Sequence, residues 1–64
     1  MAIIKFVRKY DFYGSTAYDA VYMSGRVFTF IDRDLPKTVK RWVKDKPISE
    51  QYDNVYKRWE TYYG

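Results

Sequence analysis

A chain of 64 residues with neither cysteine nor histidine excludes a disulfide framework, a thiolate or imidazole metal site, and catalysis through a Cys nucleophile or a His base. It is one small domain at most, residues 1–64, so its stability rests on ring burial or on association, and aromatic residues make up 22% of it. No run approaches the roughly 20 apolar residues of a membrane span, and Met1 to Lys5 lacks the basic and long apolar regions of a secretory signal, so a soluble cytoplasmic protein with no membrane partner is expected.

From Ala2 to Tyr10 the β-branched and aromatic residues predict a first strand, ended by Asp11-Phe12-Tyr13-Gly14-Ser15. Thr16 to Met23 and Arg26 to Asp32 predict two more strands around Ser24-Gly25, where glycine supplies the positive φ a hairpin tip needs. Asp34 or Leu35 can then cap a helix with Pro36 in its first turn, and Leu35, Val39, Trp42 and Val43 recur at helical spacing until Pro47 ends it. Ser49 suits the N-cap of a second helix, with Tyr52, Val55, Tyr56, Trp59 and Tyr63 as its apolar stripe. The expected fold is therefore α+β in the order β-β-β-α-α: a three-stranded antiparallel sheet followed by two short helices packed on one face.

Alternation along the strands sorts their side chains into two faces. A three-residue loop, Ser24 to Arg26, places Tyr18, Ala20, Tyr22, Phe28 and Phe30 on one face, where Val39, Trp42, Val55 and Trp59 of the helices would meet them as the core. The opposite face would carry Lys5, Lys9, Asp19, Val21, Met23, Val27, Thr29 and Ile31. That face is more apolar than a solvated sheet needs, which marks Lys5, Lys9, Val21, Met23, Val27 and Ile31 as candidate protein-interface residues and makes a homodimer plausible. The first strand is expected at a sheet edge, its lysines discouraging uncontrolled pairing.

Charge is uneven along the chain: net positive segments at 1–10 and 36–46 flank a net negative middle. Lys37, Lys40, Arg41 and Lys44 fall on one side of the first helix, with Arg33 and Lys46 at its ends. Such a ridge suits phosphates or an acidic partner, although a helix's outer face is often simply solvated. Gly25-Arg26-Val27-Phe28-Thr29-Phe30 resembles the aromatic strand of an RRM, but its glycine and aromatic spacing is incomplete and the chain is short for that fold, so no base readout is expected from it.

Asp32-Arg33-Asp34 could hold a hard cation, but strand exit and helix capping explain these residues more simply, and the three isolated glycines form no phosphate loop. The expectation is a non-enzymatic binding module with no catalytic residue, metal or cofactor. In size and composition the chain resembles accessory proteins encoded by phages and mobile elements. That likeness implies an inhibitor or regulator that docks on a host protein or a protein–nucleic acid complex, such as a CRISPR effector, a polymerase or a restriction enzyme. The alternative is a regulatory protein that binds DNA or RNA directly through the basic helix.

Overall fold

The computed structural model describes residues 3–64; Met1 and Ala2, the latter expected to open the first strand, lie outside the described residues. β1 (Ile4–Phe12), β2 (Ser15–Tyr22) and β3 (Val27–Ile31) form an antiparallel meander. A 3-10 turn (Asp32–Asp34) and one helix, α1 (Lys37–Asp45), follow, and β4 (Ile48–Asp53) and β5 (Arg58–Tyr63) close the chain as a hairpin. β5 also pairs antiparallel with β1, giving one five-stranded sheet in the order β3-β2-β1-β5-β4.

This corrects the expected three-stranded sheet with two helices. The first helix is present, but residues 49–63, read as a second one, are β4, a turn and β5. Two local features decide it. Asp53 Oδ1 accepts the backbone N–H groups of Val55 at 2.8 Å and Tyr56 at 2.9 Å, and Lys57 follows at φ 52°, so the chain reverses where a helix would continue. Beyond the turn, alternation wins over the helical stripe: Tyr63 packs in the core while Glu60 is buried on the other face. Val55 and Trp59, expected in the core, are 83% and 67% exposed.

The meander matches the expected hairpin in its faces but not in its loop. Tyr18 lies opposite Phe30 and Ala20 opposite Phe28, so the aromatic sets share one face. The Tyr22 N–H donates to the Arg26 carbonyl at 2.9 Å, closing a loop over Met23, Ser24 and Gly25, one residue earlier than expected, with Gly25 at φ +93°.

In β1 the register shifts: Ile4 faces Tyr22 but Phe6 faces Val21, leaving Lys5 as an extra residue. Alternation is thereby inverted, so Ile4 and Val7 belong to the helix side while Phe6, Arg8 and Tyr10 occupy the other face. Far from being an edge, β1 is the central strand, paired with β2 on one side and β5 on the other, so its lysines guard no open edge.

Helix α1 crosses one face of the sheet, joining the β3 edge to the β4 edge. Its N-cap is Pro36 rather than Asp34 or Leu35, because the 3-10 turn uses up the acidic residues first. Val39 is 2% exposed against Ile4, Val7, Tyr18, Ala20 and Tyr63, with Leu35, Trp42 and Val43 around it. The Trp42 indole N–H donates to the Tyr63 carbonyl at 2.7 Å and the Gly64 N–H to the Pro47 carbonyl at 3.0 Å, which ties both the helix and its exit to the end of β5.

Candidate functional site

The sheet face away from α1 is built around two carboxylates. Asp19 on β2 is 5% exposed and Glu60 on β5 is 2% exposed, although no helix covers them. Arg8 donates to Asp19 Oδ2 through Nε at 3.2 Å and Nη2 at 2.7 Å, while the hydroxyls of Tyr10 and Thr29 donate to Oδ1 at 2.8 and 2.7 Å. Burial pushes the Asp19 carboxyl up, but these hydrogen bonds outweigh it and hold it below its ordinary value. Burial likewise lowers Arg8, and its bonds to Asp19 and Tyr62 reverse that and raise it. Tyr10 is raised, by burial first and by its bond to Asp19 second.

Glu60 has a parallel arrangement. Arg58 Nε donates to Oε2 at 2.9 Å and the Tyr62 hydroxyl donates to Oε1 at 3.2 Å. The Arg58 guanidinium also lies over the Tyr10 ring at 3.8 Å and the Tyr56 ring at 4.6 Å. Among the described residues no buried side-chain polar atom lacks a partner. The network is charge-balanced and saturated, so its chemistry is turned inward: it holds β2, β1 and β5 together and offers little to a ligand.

Helix α1 is the opposite case. Lys37, Lys40, Arg41 and Lys44 are spaced to share its outer side, and with Arg33 in the 3-10 turn and Lys46 at the helix end all six are exposed. The ion pairs among the described residues are Arg8–Asp19 and Arg58–Glu60, so none of these six cations is neutralised by a described residue. Lys46 Nζ rests 4.5 Å from the Trp42 ring, which holds that charge at the ridge end. Lys9 is on the helix side too, facing Tyr18, and a hydrogen bond to Tyr63 raises its pKa.

Four of the six basic candidates thus lie on α1 and the other two flank it in sequence, whereas the candidate interface set is divided. Val21, Val27 and Ile31 do share the helix-free face. Met23 is in the β2–β3 turn, Lys5 stands at the β1 irregularity, and Lys9 is on the other face. The sequence reading missed Arg8, Tyr10, Arg58, Glu60 and Tyr62. Arg58 and Glu60, two residues apart, share a face only in a strand, and the helical reading of that segment hid the pair.

A third surface lies at the end of the sheet where two turns meet. Phe12, Tyr13 and Tyr56 line a depression of about 310 Å³ with Asp11 and Arg58. Tyr52 and Trp59 pair edge to face at 5.5 Å, both largely exposed. Tyr13 is 93% exposed at φ 50°, a conformation that an asparagine or glycine takes more easily.

Among the described residues no three His, Cys, Asp or Glu side chains come together to hold a metal ion, and no helix is long and apolar enough to cross a membrane. Comparison with protein-family models, with curated proteins and with solved structures gave no match for this chain.

Proposed function

We propose that the chain is a non-enzymatic binding module that docks through the outer ridge of α1 on an anionic surface of a larger host protein complex. Complexes that handle nucleic acid, such as CRISPR effectors, polymerases and restriction enzymes, present such surfaces, and an inhibitor of the kind carried by phages and mobile elements acts by occupying them. One observation carries this reading: the partition of charge. The helix-free face neutralises both of its arginines with buried carboxylates, while among the described residues Lys37, Lys40, Arg41 and Lys44 on α1, and Arg33 and Lys46 flanking it, have no ion-pair partner. Unpaired cations in a row are attracted to acidic groups and phosphates and speed encounter with them.

A second reading, direct binding of DNA or RNA, draws on one further feature. The exposed rings of Tyr52 and Trp59, near the β4–β5 turn, could stack on unpaired bases of a strand that also reaches the ridge. The two readings separate in one titration. Fluorescence anisotropy is measured with labelled polyglutamate, single-stranded DNA and duplex DNA at low and physiological salt, for the wild type and for the double variant Lys40→Glu/Arg41→Glu.

Binding to polyglutamate and to both DNAs alike, lost in the variant, fits the first reading. A clear preference for single-stranded DNA that also falls with Trp59→Ala fits the second. For duplex DNA held by the four helical cations, log affinity should fall with log salt at a slope of roughly −3 to −4. If no polyanion binds the wild type at low salt, the ridge is a solvated face and both readings fall.

A further inference from the structure

The sheet has two edges, and they differ in how they meet solvent. β4 has Pro47 before it and places Glu50 and Asp53 within it, the charge and proline that keep an edge from pairing. β3 reads Val27-Phe28-Thr29-Phe30-Ile31, with no charge and no proline, and Val27 and Phe28 are about half exposed. Because the Tyr22 N–H donates to the Arg26 carbonyl, Arg26, Phe28 and Phe30 turn their backbone groups toward β2. Val27, Thr29 and Ile31 turn theirs outward, where the sheet offers no neighbour.

We propose that β3 is a homodimerisation edge, paired antiparallel with β3 of a second copy about a two-fold axis at Thr29. The register follows from the sequence. With Thr29 opposite the partner's Thr29, Val27 lies opposite the partner's Ile31, and the outward groups of these three residues bond to one another across the axis. Phe28 meets the partner's Phe30 in the closer, non-hydrogen-bonded position, on the helix side, where rings pack well. Just beyond the strand ends, Arg26, which precedes β3, comes near the partner's Asp32, the first residue of the 3-10 turn, so opposite charges meet at each end of the joint.

The segment Arg26 to Asp32 is therefore complementary to itself in hydrogen bonding, ring packing and charge. Centring the axis on Val27 or Ile31 instead loses both the Phe–Phe pairs and the charge match. The other sheet edge, β4, lacks this symmetry. Glu50 and Asp53 on β4 would meet like charges in many registers. A local two-fold axis between antiparallel strands is perpendicular to the sheet, so both copies of α1 lie on the same side of a continuous ten-stranded sheet. The dimer stands whether or not the basic ridge binds an anion.

The test is a charge exchange read by light scattering and sedimentation equilibrium. The wild type is expected at twice 7.8 kDa, dissociating on dilution. Arg26→Asp and Asp32→Arg each set like charges opposite one another at both ends and should weaken the dimer by roughly 10- to 30-fold. Mixing these two variants restores both ion pairs and should restore the dimer as a heterodimer. That recovery cannot come from a folding defect.

Val27→Pro removes an outward N–H and no bond to β2, and should leave a folded monomer by circular dichroism. A wild type that remains at 7.8 kDa up to its solubility limit overturns the proposal. So does a dimer that neither charge variant affects, since it would use another surface. Growth into larger species would assign the contact to unlike edges, β3 on β4, and would equally overturn the closed two-fold arrangement.

Discussion

Asp19 concentrates more of the fold's polar chemistry than any other residue. It accepts from Arg8, Tyr10 and Thr29, and so joins β2 to β1 and to β3. Its carboxyl is held below the ordinary value near ~3.9, so it contributes stability fully above that pH and loses it as pH falls through the lowered value. Asp19→Asn should flatten the acid limb of the stability profile, measured by urea unfolding at a series of pH values. At neutral pH it should cost about 2–3 kcal/mol, because Arg8 is left half-buried without its partner. An unaltered acid limb would assign the acid sensitivity to other carboxylates. The sequence placed Asp19 on the helix-free face correctly. Its partner was not legible, since the extra residue at Lys5 moves Arg8 to that face and no periodicity in Ile3 to Tyr10 announces such an irregularity.

Among the elements, α1 was readable because prolines bracket it and its apolar spacing fits no strand: Pro36 and Pro47 stand just outside Lys37–Asp45. β5 was not readable, because Tyr52, Val55, Tyr56, Trp59 and Tyr63 fit a helical stripe as well as they fit strands broken by a turn. The Asp53 turn breaks the stripe, and a partner distant in sequence completes the strand beyond it. β1 needs a partner on its second side, and Arg58–Tyr63 supplies it. The turns carry a prediction of their own. Tyr13 and Gly14 both have positive φ, at 50° and 84°, a two-residue hairpin turn that favours Asn-Gly. Tyr13→Asn should therefore stabilise the fold by about 0.5–1 kcal/mol in thermal unfolding, since the ring is 93% exposed and little packing is lost. If the substitution destabilises instead, the contact of Tyr13 with Phe12, 4.7 Å between ring centroids, contributes more than the backbone strain costs.

Viewed as a whole molecule, the protein has an uneven charge economy. Net charge is +4, and the excess is carried by the ridge rather than by the sheet. Like charges in a row repel one another, so neutral salt should stabilise the free protein. Between ~10 mM and ~150 mM the screening length falls from ~30 Å to ~8 Å, and the midpoint of urea unfolding should rise. The Arg8–Asp19 pair is shielded from solvent and should respond weakly. A midpoint that falls with salt would mean that attraction, not repulsion, dominates the surface. The same whole-molecule view explains why the basic ridge was the part of the candidate site most legible in sequence: it is local, helical and bounded. The helix-free face depends on register between distant strands, which one sequence does not display.

β5 pairs with the centre of the sheet although it comes last in the sequence. A growing chain can form the β1–β2–β3 meander early, but one flank of β1 then has no neighbour until Arg58–Tyr63 emerges. Val39 and Trp42 likewise cannot settle before Tyr63 arrives to receive them. Folding is thus committed at its end, by contacts of long sequence separation, and should be slow for so short a chain. Until that moment the nascent protein shows an open strand on either side of its meander, the interval in which it is most vulnerable to proteases and to mispairing with its neighbours.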